Sequence, residues 1–421
     1  MSLKKQVILG VKWSTFSSIS LALFALIKIS VLTRFLDKAD FGLIALVTFV
    51  LGFMNLFNEM GLTSAILHKQ KISKQEYGSL YWLNILIGII IYLILLLITP
   101  IISGFYEQPE LSILIPLLGL NLIITSVGGM FRTIEQKDLN FKQITLIEVG
   151  AAFVSLMLAI YLAVMGYGVY SLIYSALLQF TITNVLYLIM GLKKHGLLIH
   201  FKLKETKPFL KIGMYQVGGQ IVNVFNKDLD ILIIGKMFTP ELLGGYSLAK
   251  QLVMRPTQVL SPLLSKVASP TLAKFQNNIV ELKRNYLRLI NIIASINIPV
   301  YVFLVIFTPW IVTMLYGDGY ENIVILVRIL SIYMIIRIVG SPVGSLVIAK
   351  GRTDIEFYWN LFTIAVTPLC LYIGAKFGVI GTAIGISSAM LILYIPGWKI
   401  LIHKLTGATL KEYVNACFVC N

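Results

Sequence analysis

The chain has 421 residues, of which 57% are hydrophobic and 13% are charged, about half the ~25% charged fraction of a soluble domain. This composition excludes a soluble multidomain enzyme and indicates that lipid is the main solvent of the protein. The formal net charge of +16 does not predict nucleic acid binding, because membrane proteins concentrate Lys and Arg in their cytoplasmic loops.

Apolar stretches, each near the ~20 residues that span a bilayer, follow one another along the chain. They predict an all-α polytopic membrane protein of about twelve transmembrane helices. We expect the first stretch to be a retained helix, because it is longer than the apolar region of a signal peptide and lacks a small-residue cleavage site. The predicted helices cover residues 7–33, 42–66, 79–103, 111–131, 143–165, 168–191, 212–235, 243–268, 287–309, 323–349, 356–375 and 378–402.

Basic residues are concentrated in alternate connections between these predicted helices. The other connections hold only Arg34, Lys38, Lys236 and Lys376, and two of them are acidic. Positively charged connections face the cytoplasm. Both termini are therefore predicted to be cytoplasmic.

An internal repeat divides the chain. Ile115–Gly128 aligns without a gap on Val327–Gly340, and Arg34–Gly42 has a counterpart in Lys236–Gly244. Parallel repeats of six helices place a substrate site between two bundles. The predicted domains are an N-terminal six-helix lobe (1–192), a basic cytoplasmic linker (193–211), a C-terminal six-helix lobe (212–402), and a segment 403–421 that is a cytoplasmic tail or the truncated start of a further helix.

Predicted helix 7, residues 212–235, carries polar residues at intervals that place them on one face. Contact with lipid would be costly there, so the face is predicted to look into the bundle or a wet cavity. Its members are Gln216, Gln220, Asn223, Lys227 and Asp230.

The repeat places Lys28 of predicted helix 1 at the position equivalent to Asp230. One interpretation is a cavity pair, in which Lys28 engages an anionic headgroup and Asp230 binds a coupling cation. The alternative is a structural ion pair, or a side chain that reaches the membrane interface.

Four further charged residues in the predicted helices are site candidates. Glu59 is a protonatable candidate or a helix-end carboxylate in water. Lys250 lies on the polar stripe of predicted helix 8, whereas Arg255 lies off it and has either a cavity or a packing role. Arg337 is in the middle of a helix, which favours a buried or cavity position.

Other features indicate structure rather than chemistry. Asp228 and Glu148 are predicted to form structural ion pairs, and Gly381-x-x-x-Gly385 permits close helix packing. The Cys417-x-x-Cys420 pair lacks the further ligands of a zinc site. No catalytic residue, metal or cofactor is predicted, and no phosphate-binding loop for ATP is present in the sequence.

Several segments, taken as a set across residues 1–402, resemble the polysaccharide-exporter, Wzx-like branch of the MOP (multidrug, oligosaccharidyl-lipid, polysaccharide) flippase superfamily. They are Leu32–Gly42, Glu59–Ile66, Leu139–Phe141, Gly166–Gly168, Leu229–Gly235, Gly245–Ala249, Arg255–Pro256 and Leu315–Gly317.

This resemblance implies a two-lobed bundle in the cytoplasmic membrane of a bacterium that flips a polyprenyl-pyrophosphate-linked oligosaccharide by alternating access. The implied partners are this substrate, membrane lipid, H⁺ or Na⁺ as coupling ion, and polysaccharide-assembly proteins, with no nucleic acid. Pyrophosphate needs cationic partners, and the intramembrane candidates are Lys28, Lys227, Lys250, Arg255 and Arg337, with Asn223 beside them. Many relatives continue for two more helices beyond the position of Asn421.

Two other functions remain open at this point. A drug/cation antiporter of the same fold would rely mainly on carboxylates, which the surplus of intramembrane Lys and Arg disfavours. A membrane polysaccharide polymerase or ligase would need a sizeable outward loop, and every predicted outward connection is short.

Overall fold

The computed structural model describes residues 3–59, 66 and 72–418, with the side chains of 3–7, 59, 208, 211–219, 222, 223, 259–271, 353 and 418 left outside that description. The described ranges contain helices and their connections and no β-strand, which confirms the all-α prediction. The helices are α1 (Leu3–Leu32), α2 (Lys38–Glu59), α3 (Lys74–Tyr106), α4 (Leu111–Gly119), α5 (Asn121–Lys137), α6 (Phe141–Val164), α7 (Val169–His195), α8 (Leu203–Met237), α9 (Pro240–Lys274), α10 (Ile279–Tyr316), α11 (Ile323–Val339), α12 (Val343–Lys350), α13 (Thr353–Ala375), α14 (Gly378–Gly397), a π-helical turn (Trp398–His403), α15 (Lys404–Thr406) and α16 (Leu410–Phe418).

Ten helical spans within the described residues are long and apolar enough to cross a membrane. Helices α8 and α9 have 35 residues each but are not among the ten, and they carry charged residues such as Asp230 and Lys250. Together these helices agree with the predicted count of about twelve. Leu97 and Trp310 are 76% and 73% exposed, as expected of a surface covered by lipid.

The chain divides into two compact units, Met1–Val224 and Phe225–Asn421, and the division falls inside α8. In the first unit, α1 packs on α6, α6 on α7, α7 on α5 and α5 on α3. A buried cluster that includes Leu80, Phe131 and Tyr187 fills part of this unit. In the second unit, α13 packs on α14, α14 on α11, and α11 on both α10 and α9.

Two of the predicted helices are interrupted. Residues 111–131 form the end-to-end pair α4 and α5, and Pro116 lies inside α4, where it has no N–H to donate to the preceding turn. Residues 323–349 form α11 and α12, separated at 340–342. Pro342 has no N–H to donate to the Ile338 carbonyl, and the Ser341 N–H bonds this carbonyl instead at 3.1 Å.

The small-residue motif in α14 forms the predicted close helix contact. A Cβ atom built on Gly385 would lie 2.5 Å from the backbone oxygen of Cys370 in α13, and one built on Gly381 would meet the backbone oxygen of Gly374. Only glycine allows the two backbones to approach this closely. The packing prediction for Gly381 and Gly385 is confirmed.

The connection between α7 and α8 is anchored to the start of α3. Ser79 donates a 2.7 Å hydrogen bond from Oγ to Glu205 Oε2 and accepts one of 3.0 Å from the Lys202 N–H. Trp82 Nε1 donates to the Leu198 carbonyl oxygen at 3.3 Å. Helix α8 then starts at Leu203, nearer the start of the chain than predicted helix 7.

The last described helix, α16, packs against α10. Tyr413 is buried and its ring stacks on Tyr394 with centroids 5.5 Å apart, and Cys417 is 2% exposed. Glu412 forms a 2.5 Å ion pair with Lys283 of α10. Cys420 lies outside the described residues.

Candidate functional site

Lys250 is the centre of a group of charges in the second unit. Its Nζ donates to Asp230 Oδ1 at 2.7 Å, to Asp228 Oδ1 at 3.0 Å and to the backbone oxygen of Lys227 at 2.8 Å. An ammonium group has three N–H donors, so these contacts use all of them. The Lys250 side chain is 12% exposed, and the ammonium is therefore held by protein groups rather than by solvent.

Asp230 is the most enclosed member of this group. Its side chain is 1% exposed, and Oδ2 accepts a 2.5 Å hydrogen bond from the Tyr246 hydroxyl. The short connection between α8 and α9 causes this proximity, because it turns the chain back so that the end of α8 faces the start of α9. Pro240 starts α9 directly after Thr239, a position that suits its fixed backbone angle.

Arg337 of α11 adds a second cation. Its Nη1 donates to the Tyr333 hydroxyl at 2.7 Å, and the guanidinium carbon lies 5.7 Å from the centre of the Tyr333 ring. It also interacts electrostatically with both aspartates. We call Asp228, Asp230, Lys250 and Arg337 the charged cluster. Its two carboxylates balance its two cations, which is how charges are retained inside a membrane protein.

The remaining basic candidates have different surroundings. Lys28 is half-buried in the first unit and donates to Ser175 Oγ of α7 at 2.7 Å. The Lys227 side chain is exposed. Arg255 Nη1 donates to Gln258 at 3.2 Å, while its Nε is buried with no hydrogen-bond partner in the described part of the chain.

Three predictions made from the sequence are not tested by the structure. The side chains of Asn223 and Glu59 lie outside the described residues. Lys28 and Asp230 belong to different units, so their pairing across a cavity stays a prediction. The structure brings together Lys250, Arg337 and Asp230 from the predicted set.

The two predicted structural ion pairs are confirmed. Asp228 contacts Lys250, and Arg132 Nε donates to Glu148 Oε1 at 2.8 Å. Sequence reasoning missed Tyr246 and Tyr333 as partners of the charged residues. Tyr246 lies in Gly245–Ala249, one of the segments that carry the family resemblance. The resemblance marked this position but did not indicate that Tyr246 contacts Asp230.

Several known proteins are similar to this chain in sequence or in fold. Residues 31–325 match the family described as polysaccharide biosynthesis protein. The chain is 28% identical to the lipopolysaccharide biosynthesis protein WzxC of Escherichia coli (strain K12), over 98% of this chain and 84% of WzxC. It is 30% identical to the amylovoran biosynthesis protein AmsL of Erwinia amylovora, over 74% of this chain and 80% of AmsL. Its fold is similar to that of the lipid II flippase MurJ in an inward closed conformation, with a TM-score of 0.77, 15% identity, and coverage of 97% of this chain and 90% of MurJ.

Proposed function

Because this chain belongs to the polysaccharide biosynthesis protein family, in the Wzx-like branch of the MOP flippase superfamily, we propose that it flips a lipid-linked oligosaccharide. The cargo is a polyprenyl-pyrophosphate-linked repeat unit of an O-antigen, capsule or exopolysaccharide. It moves from the inner to the outer leaflet of the cytoplasmic membrane by alternating access. Relatives named for polysaccharide biosynthesis and a fold shared with a named lipid II flippase support this function.

The charged cluster is the observation that carries the mechanistic part of the proposal. Lys250 is held by Asp230 and Asp228, so it is not free to bind an anion. A pyrophosphate that binds Lys250 displaces a carboxylate from its ammonium group. H⁺ or Na⁺ that binds Asp230 weakens the ion pair between Asp230 and Lys250. Both ligands favour the state in which the ion pair between Lys250 and Asp230 is broken. The binding of one ligand therefore favours the binding of the other.

Other basic residues would complete the headgroup site. We assign Arg337, which belongs to the charged cluster, and Lys28, Lys227, Arg255 and Asn223 as contacts of the anionic headgroup. Arg255 supports this assignment with a buried Nε that has no partner in the described residues. Glu59 is the second ion-coupling candidate, beside Asp230.

The experiment is a deletion of the gene in its native strain, complemented with the wild-type chain, Asp230→Asn or Lys250→Gln. The deletion is expected to trap lipid-linked units on the cytoplasmic leaflet and to abolish surface polysaccharide, and the wild-type chain is expected to restore both. Lys399→Gln, at an exposed position outside the cluster, is the matched control and should complement fully.

Normal surface polysaccharide in a deletion strain that has no paralogue would contradict the proposed function. Changed drug sensitivity without trapped lipid-linked units would instead indicate a drug/cation antiporter. Full complementation by both Asp230→Asn and Lys250→Gln would be compatible with a flippase. It would contradict the proposed roles of Asp230 in ion coupling and of Lys250 in binding the headgroup.

A further inference from the structure

The first unit contains a cavity of about 360 Å³ between α2, α3, α5 and α7. This volume is near the lower end of the ~300–1,000 Å³ of small-molecule pockets. Four asparagines line it: Asn55, Asn58, Asn84 and Asn184. The cavity is thus polar, although the helices around it are apolar enough to cross a membrane.

The cavity has no uncompensated charge among its described lining residues. Arg132 is the charged residue there, and its Nε is bound to Glu148 at 2.8 Å. The hydroxyl of Tyr187, also in the lining, donates to the same Glu148 oxygen at 3.2 Å. A pyrophosphate would need free cations, and a cationic drug would need a free carboxylate. The lining therefore favours an uncharged ligand.

The lining also offers hydrogen-bonding groups that the described residues leave unused. Asn84 Nδ2 donates to the Ser126 carbonyl and Asn184 Nδ2 to the Phe180 carbonyl, each at 2.9 Å, which leaves the amide oxygen of each for another donor. No hydrogen bond to Asn55 or Thr183 is formed within the described ranges. Amides and hydroxyls both donate and accept, so this lining matches a ligand that is rich in hydroxyl groups.

Two further observations are consistent with a binding cavity rather than a packing defect. The buried Oδ1 of Asn58 has no partner in the described part of the chain, although buried polar groups are normally satisfied. Gly129 lies in the lining, and a Cβ atom built there would meet no atom within 4 Å. A glycine on α5 thus keeps space open beside the amides.

We propose that this cavity binds a neutral sugar ring. The inference rests on the proposed function, in which the cavity would hold one saccharide unit of the lipid-linked substrate. It assigns the sugar and the pyrophosphate to different residues: amides of the first unit for the sugar, and basic residues for the headgroup.

The test uses the purified full chain in lipid nanodiscs and saturation-transfer difference NMR. The probes are neutral methyl glycosides of glucose, galactose, mannose and fucose, with methyl glucuronide and inorganic pyrophosphate as charged probes. We expect saturable transfer to at least one neutral glycoside. Asn55→Leu, which removes amide groups that no described residue binds, is expected to weaken this binding about tenfold.

Gly129→Leu and Gly150→Leu form a matched pair. Both glycines lie within helices, and a Cβ atom built on either would have no atom within 4 Å, but Gly150 is not in the lining. Gly129→Leu should abolish transfer by filling the cavity, whereas Gly150→Leu should retain it. Thermal melting of each variant verifies that it is folded.

Absence of saturable transfer to every neutral glycoside, or wild-type transfer in both Asn55→Leu and Gly129→Leu, would overturn the inference. Charged probes that bind as well as neutral ones and are lost in Gly129→Leu would also overturn it. These results are separate from the deletion experiment: trapped lipid-linked units with no glycoside binding would remove only this site. Glycoside binding without trapped units would remove the flippase function.

Discussion

At the scale of single residues, Lys250 decides whether the charged cluster is stable. Its ammonium satisfies two carboxylates, one of which is almost completely buried. Removing one partner of a buried ion pair is more damaging than replacing the whole pair, because it leaves an uncompensated charge in a medium of low polarity. The pattern of single and combined substitutions therefore distinguishes a real ion cluster from a chance contact.

Lys250→Met is expected to cost about 3–5 kcal/mol, because Asp228 and Asp230 lose their shared cation. Adding Asp228→Asn and Asp230→Asn to the same chain should recover most of that loss. Thermal unfolding of detergent-purified protein measures both effects. Lys399→Met is the control at an exposed position and should change stability by less than about 0.5 kcal/mol. Equal losses in the single and triple variants would contradict the ion-cluster interpretation.

Glu412, which lies in α16 outside the ten candidate membrane spans, provides a pH-dependent contact. The hydrogen bond from Lys283, aided by the Thr409 N–H, lowers the pKa of Glu412 to about 2. This pKa lies below the ~4.3 of an unfolded glutamate. The contact therefore stabilises the docked helix fully above about pH 4.3. The stabilisation is lost as the pH falls from about 4.3 toward 2.

We therefore expect acid to undock α16 and expose the buried Cys417. The rate of reaction of Cys417 with dithiodipyridine, in a chain with Cys370→Ser and Cys420→Ser and relative to free cysteine at the same pH, should rise between about pH 4.3 and 2. Glu412→Gln should react faster at neutral pH and lose this acid dependence. Identical pH profiles for the two chains would argue against the Lys283–Glu412 contact.

At the scale of helices, glycine positions decide which pairs can pack closely. The contact of α14 with α13 depends on Gly381 and Gly385, where a side chain would meet backbone atoms that cannot rotate away. Gly150 of α6 has open space instead. The same substitution should therefore destabilise the chain at Gly385 and leave its stability unchanged at Gly150.

Gly385→Val is expected to destabilise the chain by at least about 1–3 kcal/mol, the usual cost of overpacking. Gly150→Val should be neutral within about 0.5 kcal/mol. Melting temperatures followed by fluorescence-detected size-exclusion chromatography give the comparison. A Gly385→Val protein as stable as Gly150→Val would show that the two helices are not in backbone contact.

Helix existence was predictable, and helix continuity was only partly so. The apolar length of each segment predicted the helices, because a backbone in lipid must satisfy its own hydrogen bonds. The breaks lie near Pro116 and at Pro342, which have no N–H for the helical hydrogen bonds, and apolar length does not report this loss. The early start of α8 follows from side-chain contacts with Ser79 that are distant in sequence.

The candidate site was predictable at the level of residue types. A charge in a membrane helix is costly unless it is paired or functional, so the sequence alone marked Asp230, Lys250 and Arg337 as candidates. Their partners were not, because Tyr246 and Tyr333 are ordinary core residues until the helices are packed. The asparagine cavity likewise combines residues from four helices.

At the scale of the whole molecule, the alternating basic connections predict that both termini are cytoplasmic. A green fluorescent protein fused after Asn421 should be fluorescent, and alkaline phosphatase inserted at Asp318 should be active. These reporters mature on opposite sides of the membrane. An inactive phosphatase at Asp318 together with an active one at the C-terminus would show the reverse orientation.

The proposed translocation of a lipid-linked oligosaccharide can be measured as flipping in proteoliposomes. Purified chain is reconstituted with a polyprenyl-pyrophosphate-linked oligosaccharide, and a membrane-impermeant glycosidase reports the fraction that reaches the outer leaflet. We predict that the protected inner-leaflet pool disappears over time with the wild-type chain, disappears more slowly with Asp230→Asn, and persists in protein-free vesicles. A protected pool that is equally stable with and without the wild-type chain, under every imposed H⁺ or Na⁺ gradient, would contradict the proposed translocation.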